Sequence, residues 1–327
     1  MSSPSPELKA HLEAVLPQPD RASLRESLLP ALLQSISAVS ASLRTSHNVA
    51  LAGTANTFGD DQLNVDVAAE NLIRAALAGC PSVATASSEE DPVEVTVHEG
   101  IQGEETYTVA FDPLDGSSIV GANWTVGTIV GIWDGASALH QPPAEKQIAA
   151  ILGVLGPRTS AVIALRIPGS EPVCFEVSLD HETGGVASSQ VIRPEVRLGG
   201  SKTRYFAPAN LRAAADNPRY MGLIQHYITG KYTLRYAGGL VPDIVHALVK
   251  GHGIYVSPVF EPSQAKLRRL FELCPVALIL EAAGGAAVDP ADGSRILDRP
   301  LENTDERGGL VCGNTEEVEK VKKLLID

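Results

Sequence analysis

The sequence predicts a layered α/β fold in two lobes, and three of its features carry that prediction. Apolar residues recur every three or four positions from 22 to 44, the stripe of an amphipathic helix. Four short runs rich in β-branched residues follow between Thr106 and Val177, the pattern of strands. Beyond a Gly- and Ser-rich stretch from Thr183 to Lys202, helical and extended patterns mix again, so layers fit better than strict strand-helix alternation.

Taken in order, Leu24, Leu28, Leu32, Ile36, Val39 and Leu43 form the first helical stripe, with Pro30 placed to bend it or mark its first turn. Leu63, Val67, Leu72, Ala76 and Leu77 predict a second helix over Asp61–Ala78, stopped by Gly79 and Pro81. Strands are expected at Thr106–Phe111, Thr125–Trp133, Ser160–Ile167 and Val173–Val177, and the Pro168–Pro172 turn makes a hairpin of the last two. The stretch from Thr183 to Lys202 is the expected seam between a lobe over 1–195 and another over 196–327. After it, Asn217–Tyr227, Asp243–Lys250 and Gln264–Ala283 read as helices, the last stopped by Gly284 and Gly285, and Ile254–Pro258 reads as extended.

Composition narrows the function. With 44% hydrophobic and 20% charged residues the chain can bury a sizeable core, unlike a disordered one. Its 39 acidic and 26 basic side chains leave a net charge of −13, which argues against a nucleic-acid groove. Cys80, Cys174, Cys274 and Cys312 lie far apart, so no zinc knuckle or dithiol centre is readable and a reducing compartment is expected. No apolar run approaches the length of a membrane span, and Glu7, His11, Glu13 and Asp20 interrupt any signal-peptide pattern. Four acidic residues by Glu26 are unlike a transit peptide, so the expectation is a cytoplasmic protein with no membrane partner. There is no G-x-S-x-G elbow, H-E-x-x-H, P-loop or Rossmann fingerprint, and the eight histidines form no ligand-spaced cluster.

The informative segment is Val109-Ala110-Phe111-Asp112-Pro113-Leu114-Asp115-Gly116-Ser117-Ser118, an apolar strand ending in two carboxylates. Pro113 fixes a turn, so Asp112 and Asp115 can converge, and Gly116 lets the backbone approach a ligand. Converging carboxylates suit a hard cation, and the hydroxyls and N–H groups of Ser117 and Ser118 suit a phosphate beside it. An Asp-Pro turn with a helix cap would read the same way. Ser88-Glu89-Glu90-Asp91 and Gly59-Asp60-Asp61 with Asp66 add two more acidic groups, each at the end of a strand or the start of a helix, although solvated charge runs are common. A basic counterpart lies in Leu234-Arg235-Tyr236 and Lys266-Leu267-Arg268-Arg269. On a helix Lys266, Arg269 and Glu272 would share a face, and Arg268 and Glu272 could form a surface pair or both reach a cleft.

These residues resemble the sugar bisphosphatases, the fructose-1,6-bisphosphatase and sedoheptulose-1,7-bisphosphatase group. Asp112-Pro113-Leu114-Asp115-Gly116-Ser117-Ser118, Ser88-Glu89-Glu90, Gly59-Asp60-Asp61-Gln62 and Lys266-Leu267-Arg268 with Glu272 keep the motif order from about Leu28 to the C-terminus. The resemblance implies a five-layer α-β-α-β-α sandwich of the sugar-phosphatase type. It implies that Glu89, Glu90, Asp112, Asp115, Glu272 and the Leu114 carbonyl hold Mg2+ or Mn2+, and that Asp61 and Asp66, with Glu89, serve catalysis at the attacking water. Ser117 and Ser118 would take the scissile phosphate with Arg268 beside it, Asp115 and Gly116 would belong to the substrate site, and Asn210, Arg212, Arg235, Tyr236 and Lys266 would bind the sugar and far phosphate. Arg235 would reach across a subunit interface in a homo-oligomer, a dimer or tetramer.

Departures from the family pattern refine the expectation. Leu51-Ala52-Gly53-Thr54-Ala55-Asn56 replaces the redox cysteine pair of chloroplast sedoheptulose enzymes, so thiol control is not expected. Ala22-Ser23-Leu24-Arg25-Glu26-Ser27 and Thr106-Tyr107 lack the glycines and lysine through which many fructose enzymes bind AMP, so AMP control is not expected. Asn210-Leu211-Arg212-Ala213 stands where fructose enzymes carry Asn-Glu-Gly-Tyr, and Ser257 near where they carry a tyrosine. Hydrolysis of the 1-phosphate of sedoheptulose 1,7-bisphosphate is therefore the expected reaction. Fructose-1,6-bisphosphatase activity and a catalytically silent sugar-phosphate-binding homologue are the alternatives.

Overall fold

The structure is a computed structural model that describes residues 4–16, 21–55, 61–101, 105–180, 185–199, 201–260 and 266–326. The first half holds helices α1 (Pro6–Val15) and α2 (Leu29–Thr45), a short ribbon of β1 (Leu51–Ala55) and β2 (Asp61–Leu63), and α3 (Asn64–Leu77). It continues with β3 (Val83–Ser88), β4 (Val95–Thr96), β5 (Tyr107–Asp115), α4 (Ser117–Val120), β6 (Val126–Asp134) and α5 (Pro143–Lys146), then β7 (Gln147–Leu155), β8 (Thr159–Leu165), β9 (Val173–Asp180) and β10 (Gly185–Arg193). Strands β3 to β10 make one eight-stranded sheet in the order β10-β9-β8-β7-β6-β5-β3-β4. All its pairs are antiparallel except β3 with β5.

Both faces of this sheet are covered, so its central strands are buried along almost their whole length and show no in-out alternation. On one face Leu24, Leu28, Leu32, Ile36 and Val39, the stripe legible in the sequence, meet Val109, Phe111, Val130 and Ile151. A π-turn at Leu24–Leu28 runs straight into α2, and Pro30 falls near this junction, where its missing N–H is absorbed by the widened turn.

The second half holds β11 (Tyr205–Pro208), α6 (Pro218–Thr229), β12 (Thr233–Leu234), α7 (Leu240–Lys250), β13 (Ile254–Ser257), β14 (Leu267–Arg268) and α8 (Cys274–Ala282). It closes with β15 (Ala286–Val288), β16 (Arg307–Gly308), β17 (Leu310–Gly313) and α9 (Thr315–Val321). The second sheet runs β12-β11-β13-β17-β15, and β14 pairs with β16 as a separate ribbon. Ala207, Tyr255 and Cys312 from one face of it pack with α7 and α8 against Ala110, Ile129, Trp133 and Leu152 of the first sheet. Phe206, Ile254, Val256 and Val311 from its other face pack on Tyr220, Leu223 and Tyr227 of α6 and Val318 and Val321 of α9. The layers are α-β-α-β-α, as the resemblance implies.

Several elements differ from their sequence reading. Asp61 is extended in β2, and the second helix starts only at Asn64. Of the helix expected over Gln264–Ala283, residues 264 and 265 lie outside the described residues, and Leu267–Arg268 pairs with Arg307–Gly308. A π-turn over Arg269–Leu273 follows before α8, which carries Pro275 in its first turn, where proline is tolerated. The expected seam holds β10 from Gly185 to Arg193, an edge strand of the first sheet; residues 183, 184 and 200 are outside the described ones. Strand β7 escaped the sequence reading because Ala149, Ala150 and Gly153 dilute its pattern.

Gly127 lets the central layer dock. A Cβ there would lie 2.3 Å from Val241 Cβ in the first turn of α7. Gly127→Ala is expected to push α7 off the sheet and lower unfolding stability by about 1–3 kcal/mol. Urea denaturation of both proteins measures this, and an unchanged midpoint would refute the close approach.

Candidate active site

The site grows from the end of β5. Between Asp112, opposite Ile129, and Asp115, opposite Gly127, the pairing with β6 gains an extra residue, a bulge at Pro113 and Leu114. The Thr128 hydroxyl donates to the Pro113 carbonyl at 3.0 Å, and the Leu114 N–H to Asp112 Oδ1 at 2.9 Å, which fixes the turn. Asp115 accepts the N–H groups of Leu240 at 3.0 Å and Val241 at 2.6 Å, the first two residues of α7. Glu272 joins them from the π-turn before α8, held by the Arg268 N–H at 2.6 Å.

Carboxylate oxygens of Asp112, Asp115 and Glu272 lie within 4.8 Å of one another, and all three residues are buried. Burial, and then the neighbouring Glu89 and the other acids of the cluster, raise Asp112 and Glu272 well above the ordinary carboxylate range. Asp115 is pushed up to about 6, mainly by burial, against the two N–H bonds that favour its anion. Three oxygen donors that repel one another in a buried place fit a hard divalent cation, whose charge removes the conflict.

Further acids surround this cluster. Asp66, in the first turn of α3, accepts the Leu63 N–H at 3.0 Å and the Ser117 hydroxyl at 3.2 Å, and burial pushes it up to about 6. Glu90, after the end of β3, accepts from the Gln62 amide at 2.6 Å and is pushed up to about 7, again chiefly by burial. The Glu89 N–H donates to the Phe111 carbonyl at 3.0 Å, extending the β3–β5 pairing past the strand end. Arg268 is 1% exposed; its guanidinium bonds Glu89 Oε1 at 3.3 Å and also Asp305. Ser117 and Ser118 stand exposed at the start of α4. Before them Gly116 has φ +104, which side chains resist, and a Cβ there would meet Val126 at 3.1 Å. Ser117 also donates to the Leu114 carbonyl at 3.3 Å. Gly59 and Asp60 lie outside the described residues, as does the Asp61 side chain.

The basic residues arrange differently from a helical face. Arg268 reaches Glu272 through its backbone N–H, while its guanidinium turns to Glu89 and Asp305. Arg269 points away, to Glu306 at 2.7 Å and the carbonyls of Ile296 and Arg299, and Lys266 is exposed ahead of β14. Strands β12 and β13 both run parallel to β11, so the residues after all three strand ends emerge at one sheet edge. Asn210 (φ +50) and exposed Arg212 follow β11, and exposed Arg235 and Tyr236 follow β12. From Tyr236 the chain enters α7, whose start is tied to Asp115, so this edge adjoins the carboxylate cluster.

Sequence reasoning missed three supports. Asp305 shares the Arg268 guanidinium, and Asp243 accepts the Ala237 and Gly238 N–H groups and is pushed up to about 7 by burial. Buried Glu70 pairs with Arg74, which also reaches Asp91 at 3.3 Å and braces the turn carrying Glu89 and Glu90. Only the Glu70–Arg74 pair left a trace in the sequence, as i,i+4 spacing.

Residues 13–185 match the family described as fructose-1-6-bisphosphatase, N-terminal domain, and residues 200–326 match its C-terminal domain. The chain is 40% identical over 272 residues to a chloroplastic sedoheptulose-1,7-bisphosphatase of Spinacia oleracea, an alignment covering 83% of this chain and 66% of that protein. It is 38% identical over 287 residues to a class 1 fructose-1,6-bisphosphatase of Syntrophotalea carbinolica, covering 87% and 83%. The crystal structure of a Toxoplasma gondii protein described as a putative sedoheptulose-1,7 bisphosphatase superposes with a TM-score of 0.84 at 31% identity, over 98% of each chain. With both family domains matched in order along the sequence, this chain belongs to the fructose-1,6-bisphosphatase family.

Proposed function

We propose that this protein hydrolyses the 1-phosphate of a sugar bisphosphate, with sedoheptulose 1,7-bisphosphate preferred and fructose 1,6-bisphosphate slower. The observation that carries this reading is the buried set Asp112, Asp115 and Glu272, with Arg268 and Glu89 beside it. Asp112, Asp115, Glu272, Glu89, Glu90 and the Leu114 carbonyl would hold magnesium or manganese. The bound metal would supply positive charge for the scissile phosphate and its leaving oxygen.

The chain's own groups do the rest. Ser117, Ser118 and the Gly116 turn receive the phosphate, and Arg268 adds a fixed positive charge. Asp66, pushed up to about 6 and bonded to Ser117, is suited to accept a proton from the attacking water together with Asp61 and Glu89. Asn210, Arg212, Arg235, Tyr236 and Lys266 read the sugar and its far phosphate. Every carboxylate that a silent homologue would be expected to lose is present.

Neither AMP nor thiol control is proposed for this chain. The Ser23 and Leu24 N–H groups at the start of the first long helix donate to the chain's own Glu105 at 3.1 and 3.2 Å, with the Tyr107 hydroxyl on the same carboxylate at 2.6 Å. All four cysteines are free and buried, and burial raises their thiol pKa values, Cys174 and Cys274 to about 12. Among the described residues no helix is long and apolar enough to cross a membrane.

Three outcomes are expected. Glu90→Gln keeps volume but removes a charge, and should lower turnover at least a thousandfold while leaving circular dichroism unchanged. Near wild-type phosphate release at saturating magnesium would mean the metal site is misplaced.

Asp66 and Asp115 near 6 and Glu90 near 7 lie above their ordinary 3.8 and 4.5, so the folded protein takes up protons. Without metal, the stability this contributes is full below those ordinary values and is lost as pH rises through about 6 to 7. Ligation needs the ionised groups, so the rise in Tm on adding magnesium should grow from about pH 5 to about pH 8. Scanning calorimetry checks this, and a magnesium effect that shrinks with pH would contradict it.

Arg212 carries a long, always-charged fork able to reach a phosphate about one carbon further out than a hexulose needs. Arg212→Ala should lower kcat/KM for the heptulose bisphosphate more than for the hexulose one. If wild type prefers fructose 1,6-bisphosphate, or the substitution affects neither sugar, the substrate preference fails and the bisphosphatase reading stands.

A further inference from the structure

Two carboxylates hold the turn that carries the chain from β12 into α7. Ala237 and Gly238 donate their N–H groups to Asp243 Oδ1 and Oδ2 at 2.6 and 3.2 Å, and Leu240 and Val241 donate theirs to Asp115 at 3.0 and 2.6 Å. Asp243 belongs to the first turn of α7 and is 6% exposed, so it reaches back over the segment that precedes its own helix. Gly238 sits in the turn at φ +97. Four backbone donors within five residues, each taken by a carboxylate oxygen, hold this segment in one arrangement.

The two acceptors are not equivalent. Asp115 is a member of the carboxylate cluster with Asp112 and Glu272, whereas Asp243 is not. A carboxylate offers about four lone-pair sites, so Asp115 can keep both N–H bonds and still face the cluster. The turn is thereby fastened to the cluster at one end and closed by Asp243 at the other, and Arg235 and Tyr236 lead directly into it. Replacing the carboxylate, which offers an acceptor oxygen to each N–H, by a group with only one such oxygen would leave a buried donor unsatisfied and let the turn drift.

We propose that Asp243 is a positioning residue that sets the Arg235–Tyr236 segment against the carboxylate cluster and so fixes where the sugar's far end binds relative to the scissile phosphate. This rests on the sugar-bisphosphatase reading and assigns a residue that acts through others, without touching substrate.

Asp243→Asn keeps the shape but turns an amide NH2 toward a backbone N–H. Gly238→Ala strains the same turn at positive φ while leaving Asp243 in place. The magnesium-loaded full chain is assayed for phosphate release from both sugar bisphosphates. Inorganic phosphate is added as a competitive inhibitor at varied magnesium, so that the magnesium-dependent part of its inhibition reports on the metal end. For each variant KM for the bisphosphates should rise about tenfold, with kcat within about threefold and the phosphate inhibition constant and magnesium half-saturation within about twofold. An unchanged KM overturns the proposal, and so does a parallel fall in kcat, magnesium affinity and phosphate affinity, which marks a general structural effect. If Asp243→Asn fails to fold, Gly238→Ala decides on the same criteria. If the wild-type protein releases no phosphate from either sugar, the bisphosphatase reading itself falls.

Discussion

Five acidic side chains, Asp66, Glu90, Asp112, Asp115 and Glu272, are brought out of bulk water at one end of the first sheet, and burial is the largest cause of the raised pKa of each. Removing charge from water is costly, so such a cluster persists only where the surrounding structure supplies donors and other stability. The chain does both. Backbone N–H groups of Leu63, Leu114, Leu240, Val241 and Arg268 meet four of the acids, and the Gln62 side chain meets the fifth. The layered cores supply the rest, through Leu, Ile, Val and aromatic residues buried on both faces of the first sheet.

The architecture explains why these acids meet. Asp66 comes from the outer helical layer, Asp112 and Asp115 from the bulged end of a sheet strand, and Glu272 from the central helical layer. Three of the bonds at the site also join distant elements: Asp115 caps α7, Ser117 bridges to Asp66, and Arg268 links the central layer to Glu89. Strain at the cluster is balanced by tight docking elsewhere, as where Gly127 admits Val241. A functional site of this kind is built from conflict that a ligand relieves.

Arg268 shows how the cluster is kept from being uniformly negative. Its guanidinium is buried between Glu89 and Asp305, and its own N–H holds Glu272. One residue thus joins two carboxylates through its side chain and fixes a third by its backbone. Lysine could not do the same, because a single ammonium lacks the fork that spans two acceptors.

The sequence alone determined the α/β class, the first helical stripe, the strand leading to Asp112 and Asp115, and the acidic motifs around Glu89, Glu90 and Glu272. Those features are local: periodicity, a proline turn and short spacings are complete within a few residues. Strand β7, with its small residues, and β10, in a Gly- and Ser-rich stretch, left no such pattern, because burial on both faces and pairing with a neighbour come from the assembled sheet. The start of α8 was misread for a related reason, since Leu267–Arg268 is extended only through pairing with Arg307–Gly308. The tertiary structure likewise decided that Arg268 turns to Asp305, that Asp243 closes the turn before α7, and that Asp115 caps a helix more than a hundred residues away. Such contacts depend on chain segments distant in sequence, and no local spacing encodes them.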